Sequence, residues 1–158
     1  MYRADQVDPT KEIAMSCGSE NTAKFALGTE PDKGRGRLDT LVVDDSEDYL
    51  DAVSRLLATY PCIGTIDRAI SSSEALADIG AHRPDLMLVD IAMPELNGLD
   101  LTRRIKAMTN PPKVIIVTLY DTPAYHDAAR AAGADGFVGK SELGAQLQGT
   151  IRQLFTGR

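Results

Sequence analysis

The sequence predicts an α/β domain: a five-stranded parallel sheet covered on both faces by five helices. Two observations carry that prediction. From Leu38 onward, short apolar runs alternate with longer segments whose apolar residues recur at helical spacing, the two periods that separate strands from amphipathic helices. The connections are short, and no segment repeats another. Such strand–helix alternation implies parallel strands joined by right-handed crossovers. A third observation concerns placement: apolar runs end in acids, and ligand chemistry in open parallel sheets gathers beyond the carboxyl ends of the strands.

The elements follow in order. Leu41-Val42-Val43 is a buried strand ending in Asp44-Asp45. Tyr49, Leu50, Val53, Leu56 and Leu57 then recur at helical spacing, and Ser46 stands where it can cap that helix. Thr65 to Ile70 reads as the second strand. Ser71-Ser72-Ser73-Glu74 opens a helix with Leu76 and Ile79 inward, and Pro84 breaks the chain before Leu86-Met87-Leu88-Val89-Asp90. Gly98 begins the next helix, with Leu99, Leu101, Ile105 and Met108 apolar. Pro111-Pro112 separates it from Val114-Ile115-Ile116-Val117-Thr118, the most β-branched run in the chain. A small-residue helix through Ala124, Ala128, Ala129 and Ala132 stops at Gly133. Gly136-Phe137-Val138 is a brief last strand, and Leu143, Leu147, Ile151 and Leu154 line one face of the closing helix.

Bulk properties narrow the class. With 158 residues, 43% hydrophobic and 25% charged, the chain has room for one domain with an ordinary core. Residues 1–37 lack a sustained apolar period and read as a flexible N-terminal extension, with a short helix around Lys11 to Met15 as the one local alternative. Residues 38–156 form the predicted domain. The basic Lys33 to Arg37 stretch reads as a solvated linker, with docking as its alternative. A net charge of −6 argues against a direct nucleic-acid surface. It fits either simple solubility or acids gathered around a cation. Cys17 and Cys62 form no CxxC pair, so reduced thiols are expected. No apolar run reaches the roughly 18 residues that span a bilayer, and charges interrupt the N-terminus where a signal peptide would be apolar. The expected location is cytoplasmic, with no membrane partner.

Five polar residues fall on one rim of the predicted sheet. Asp44 and Asp45 end the first strand, Asp90 the third and Thr118 the fourth, and Lys140 follows the fifth. Taken singly, each has a plain reading: an Asp after a strand is commonly a helix cap, a Thr a strand former, a Lys a solvated charge. Taken together they supply what phosphoryl chemistry requires. Three neighbouring carboxylates repel unless a cation or proton joins them, and an oxygen-rich site with an open edge suits Mg²⁺. Lys140 and Thr118 would bind phosphoryl oxygens, and Asp90 would be the nucleophile.

The segments Leu41-Val42-Val43-Asp44-Asp45, Leu88-Val89-Asp90-Ile91-Ala92-Met93-Pro94-Glu95-Leu96-Asn97-Gly98, Val117-Thr118 and Gly133-Ala134-Asp135-Gly136-Phe137-Val138-Gly139-Lys140 resemble the receiver domain of bacterial two-component response regulators. The resemblance covers residues 38–156 and implies a flavodoxin-like (βα)5 doubly wound sheet with strand order 2-1-3-4-5. It implies that Asp90 is the phosphoacceptor and that Asp44, Asp45, Asp90 and the main-chain carbonyl of Ala92 hold Mg²⁺. Thr118 and Lys140 would bind the phosphoryl oxygens. Phe137 matches the family's switch aromatic, whose rotamer follows Thr118, although a plain core role is open to it. Three positions depart from the family pattern. Ser141 stands where Pro is usual after the lysine, and is read instead as a cap of the last helix. Leu119 replaces a small residue after the threonine and would narrow the entrance for small phosphodonors, unless it packs into the neighbouring helix. Phe137 replaces the more frequent tyrosine.

The resulting expectation is a stand-alone phosphorelay switch, not an enzyme beyond self-phosphorylation and self-dephosphorylation at Asp90. A sensor histidine kinase or histidine phosphotransfer protein would supply the phosphoryl group. A protein effector, or a phosphorylation-dependent dimer, would read it. Two alternatives differ in class. A phosphatase of the haloacid dehalogenase type also uses Asp, Thr, Lys and Mg²⁺, but its acidic pair comes late in the chain, whereas here it comes first. A receiver-like binding module that ignores phosphorylation would have no need of all five rim residues.

Overall fold

The structure is a computed structural model and describes residues 36–156. The expected helix at Lys11 to Met15 and nearly all of the N-terminal extension lie outside them. The element order is β1 (Leu38–Val43), α1 (Glu47–Ala58), β2 (Ile63–Ala69), α2 (Ser72–His82), β3 (Leu86–Val89), α3 (Gly98–Lys106), β4 (Lys113–Thr118), α4 (Pro123–Ala132), β5 (Gly136–Gly139) and, after a 3-10 turn at Lys140–Glu142, α5 (Leu143–Thr156). The strands form one parallel sheet in the order β2-β1-β3-β4-β5, the doubly wound arrangement expected.

Alternation along the strands divides the core in two. Val42, Leu86, Leu88, Ile115 and Val117 face Leu50, Val53 and Leu57 of α1 and Leu147 and Ile151 of α5. Leu41, Val43, Met87, Val89, Val114 and Ile116 face Ala75 and Ile79 of α2, Leu101 and Ile105 of α3 and Ala129 of α4. Leu41, Leu86, Met87, Ile115 and Ile116 are wholly buried. Burial on both faces explains why these strands are near-continuous apolar runs, not alternating ones. Every strand also delivers the residue that follows it to the same rim.

Helix starts follow local chemistry. Ser46, Ser71 and Thr122 cap α1, α2 and α4, their hydroxyls accepting from the N–H groups of Tyr49, Glu74 and Tyr125. The Asn97 side chain caps α3 by accepting from Leu99 and Asp100. Gly133, at φ 99°, ends α4 in the left-handed conformation that glycine adopts without penalty.

The structure corrects four sequence expectations. The second strand begins at Ile63, not Thr65, because Leu38 pairs with Ile63 and donates to the Cys62 carbonyl. Ile70 lies beyond it, exposed. Met108 falls outside α3, which stops at Lys106 so that the chain can turn through Asn110, at φ 53°, into Pro111. Among the described residues the Ser141 side chain makes no capping bond: Ser141 lies inside the 3-10 turn, which is itself entered at Gly139 without one. Cys62 is joined in a disulfide, against the expectation of a reduced thiol, and its partner lies outside the described residues. Arg37, read as the last residue of the extension, donates from its guanidinium to the Ile63 carbonyl at 3.2–3.3 Å.

Candidate functional site

The rim formed by the carboxyl ends of β1, β3, β4 and β5 gathers the predicted polar residues. Asp44 leaves β1 almost fully buried. Its Oδ1 accepts from the Ser46 backbone N–H at 2.9 Å, which fixes the carboxylate and turns the chain into α1. Asp45 is exposed. Asp90 is 6% exposed, held by β3 and by its own N–H, which donates to the Val43 carbonyl at 3.0 Å. One oxygen from each of Asp44, Asp45 and Asp90 lies within 4.8 Å of the others.

Lys140 reaches this cluster from the far end of β5. Its Nζ donates to Asp44 Oδ2 at 2.7 Å and stands 3.5 Å from Asp90 Oδ1. Burial pushes the Asp90 carboxyl up to about 6, aided by the neighbouring Asp44 and opposed by Lys140. One ammonium does not balance three carboxylates, so the cluster suits a further divalent cation. An oxygen set with one solvent-facing member fits a hard, hydrated ion.

The loop from Asp90 to α3 is shaped by close backbone approach. Gly98 N–H and Met93 N–H both donate to the Ile91 carbonyl at 3.0 Å. A side chain at Gly98 would place its Cβ 2.0 Å from the Asp90 carbonyl oxygen, a clash with backbone that no rotamer relieves. Ser72 Oγ ties the loop to α2 by donating to the Leu96 carbonyl at 2.6 Å. Glu95 takes the left-handed region at φ 67°, an uncommon conformation for a side-chain-bearing residue. Ala92, expected to offer its carbonyl, lies exposed in this loop.

Thr118 is wholly buried, its Oγ1 accepting from the Tyr120 N–H at 3.2 Å. Leu119 is 71% exposed, so it is not a core residue. Phe137 is half-buried against the α2–α3–α4 side of the core, its ring stacked on His126 at 3.9 Å between centroids. His126 Nε2 in turn lies 2.6 Å from Asp121 Oδ1.

Sequence reasoning missed Tyr49. Its ring lies 4.1 Å from Lys140 Nζ, measured to the centroid, and burial together with Asp44 and Asp90 pushes its hydroxyl up. The signal was its place in the first turn of a helix that starts at the acid pair. Helical spacing assigned it to the core instead.

The family model for the response regulator receiver domain matches residues 40–152. The chain is 30% identical over 118 residues to the response regulator GacA of Pseudomonas viridiflava, covering 75% of this chain and 55% of that protein. It is 31% identical over 117 residues to the DNA-binding transcriptional activator DevR/DosR of Mycobacterium tuberculosis, covering 74% and 54%. The chain therefore spans about half the length of these curated relatives. Among solved structures, a LuxR-family two-component response regulator from Aurantimonas superposes with a TM-score of 0.72 at 27% identity, covering 77% of this chain and 87% of that one. The signal receiver domain of the putative response regulator NarL from Mycobacterium tuberculosis gives 0.65 at 26%, covering 75% and 92%. Fold, rim geometry and family model agree: the chain belongs to the response regulator receiver domains of two-component signalling.

Proposed function

We propose that Asp90 accepts a phosphoryl group from the phosphohistidine of a sensor histidine kinase or a histidine phosphotransfer protein, and that the acyl phosphate switches binding of a protein effector. The observation that carries this reading is the buried Asp90 carboxylate flanked by Asp44 and 3.5 Å from Lys140. At neutral pH a carboxyl near 6 is largely ionised and nucleophilic. An Asp90 oxygen attacks phosphorus as the phosphorus–nitrogen bond to the donor imidazole breaks, and the imidazole retains the electron pair and takes up a proton. Lys140 and the Thr118 hydroxyl would receive the phosphoryl oxygens, which carry the negative charge once an Asp90 oxygen is bonded to phosphorus.

Asp44, Asp45, Asp90 and the Ala92 carbonyl would hold Mg²⁺, which when bound supplies charge neutralisation for the transferring group. Asp45 is the solvent-facing one of the three carboxylates. Phe137 would follow Thr118 when the hydroxyl turns toward the phosphoryl group, leaving its stack on His126. Residues 38–156 carry every side chain that this chemistry would use.

Incubation with acetyl phosphate and Mg²⁺, followed by intact-mass measurement, tests the assignment. Wild type should gain one phosphoryl group, and Asp90→Asn none. Equal incorporation by both would reject Asp90. No incorporation from either acetyl phosphate or a phosphorylated histidine donor would favour a phosphorylation-independent binding module.

A further inference from the structure

We infer that Tyr49 is a positioning residue for Lys140: the face of its ring fences the ammonium over the carboxylate cluster, within reach of Asp90. The inference rests on the reading of Asp90 as phosphoacceptor. A lysine is a point charge on a flexible four-carbon stem, and its ammonium wanders unless something confines it. Here the confinement has three sides. Asp44 Oδ2 lies at 2.7 Å, Asp90 Oδ1 at 3.5 Å and the Tyr49 centroid at 4.1 Å. An ammonium within about 6 Å of an aromatic face is attracted by the ring quadrupole, more strongly where water is excluded. The Lys140 side chain is only 13% exposed.

The ring differs from the carboxylates in what happens during the reaction. Asp44 would be engaged by a cation, and the negative charge at Asp90 would pass from the carboxylate to the phosphoryl oxygens beyond it on phosphorylation. The ring is uncharged and takes part in neither event, so it is the one side of the fence that persists throughout. It is also rigidly mounted. Tyr49 sits in the first turn of α1, where its N–H donates to the capping Ser46 Oγ at 3.2 Å. The ring lines a small cavity with Val42, Val53, Leu88 and Val117. Its hydroxyl is buried and makes no hydrogen bond among the described residues. What Tyr49 contributes is therefore the ring and not the hydroxyl, and phenylalanine should replace it.

The test combines spectroscopy and kinetics on the full chain. In wild type, the Lys140 ε-methylene protons should be displaced upfield by the ring current. Tyr49→Phe should keep that displacement and the wild-type rate of reaction with acetyl phosphate; Tyr49→Leu should lose both, slowing the reaction about tenfold, or about 1.4 kcal/mol in the barrier. Val53→Ala opens the same cavity wall without touching the ammonium, and should leave rate and displacement unchanged. A Lys140 methylene at its ordinary position in wild type would overturn the inference even if Tyr49→Leu does not fold. So would equal slowing in Val53→Ala, or a Tyr49→Leu protein as fast as wild type. Failure of wild type to take up phosphoryl at Asp90 would instead reject the phosphoacceptor reading, while the displacement would still report on the fence.

Discussion

At the amino ends of β4 and β5, Lys106 Nζ lies 2.8 Å from Asp135 Oδ2 and 3.0 Å from the Pro112 carbonyl, and the same Asp135 oxygen accepts from the Val114 N–H at 2.9 Å. At the carboxyl ends, Lys140 stands between Asp44 and Asp90, with Asp45 beside them. Both lysines are largely shielded from water, at 20% and 13% side-chain exposure. The first set is balanced: one ammonium, one carboxylate, each with a further hydrogen bond. It pins the loop before β5 to the start of β4. The second is short of positive charge, and its excess is directed at whatever enters. Proximity of a lysine to an aspartate therefore says little about purpose, whereas the count of charges around them says a good deal.

If the imbalance is the working part, removing its one cation should have the largest effect. Lys140→Ala should slow phosphoryl transfer about 10²–10³-fold, as loss of a transition-state donor does, measured by the rate of mass gain with acetyl phosphate. A change below about threefold would break the comparison, because Lys140 would then be as structural as Lys106.

Relieving the imbalance should stabilise the fold. Asp90 holds its proton up to about 6 against an ordinary 3.8, so the proton is bound more tightly in the folded chain. The advantage of the protonated form is complete below about pH 4 and is lost as pH rises through about 6. Asp90→Asn escapes that loss. In chelator, its stability margin over wild type should grow between about pH 4 and 6, then level off at about 2–3 kcal/mol by urea denaturation. A margin independent of pH would mean that Asp90 ionises freely. Added Mg²⁺ should shrink the margin by binding wild type, and should do so less in an Asp45→Ala background.

The balanced set should respond in the opposite sense. Asp135→Ala leaves the Lys106 ammonium and the Val114 N–H without that carboxylate, and should lower stability by about 2 kcal/mol, with the phosphoryl transfer rate unchanged. Loss of transfer without loss of stability would reverse the assignment of the two rims.

Leu119 gives the smallest effect. Its exposure removes any cavity penalty, so Leu119→Ala should change stability by no more than about 0.5 kcal/mol. Reaction with acetyl phosphate and hydrolysis of the phosphoaspartate should each accelerate a few-fold as the entrance widens. Unchanged rates would show that the side chain stands clear of the approach to Asp90.

The rim was legible in the sequence because a buried parallel strand announces its own end. Asp44, Asp90 and Thr118 each follow an unbroken apolar run, so burial and terminus could be read together. The five-fold alternation then placed Lys140 on the same side, although 96 positions separate it from Asp44. Contacts between elements were not legible. Periodicity says which way a helix residue faces but not what crosses toward it from another strand, so Tyr49 read as core and its meeting with Lys140 was missed. The stack of His126 on Phe137 was hidden for the same reason. The start of β2 was misread because Gly64 interrupts the apolar pattern, while pairing with Leu38 carries the strand back to Ile63. Long-range pairing overrode local pattern there, as it commonly does at strand ends.

Gly98 has a mechanical consequence. With no side chain between them, the first residue of α3 rests directly on the carbonyl of the residue that would be modified, and its N–H is bonded to the next carbonyl along. Contact between two backbones has no rotamer to absorb a displacement. Any shift of the Asp90 peptide must therefore pass undamped into the axis of α3, which makes the joint a push-rod instead of a spring.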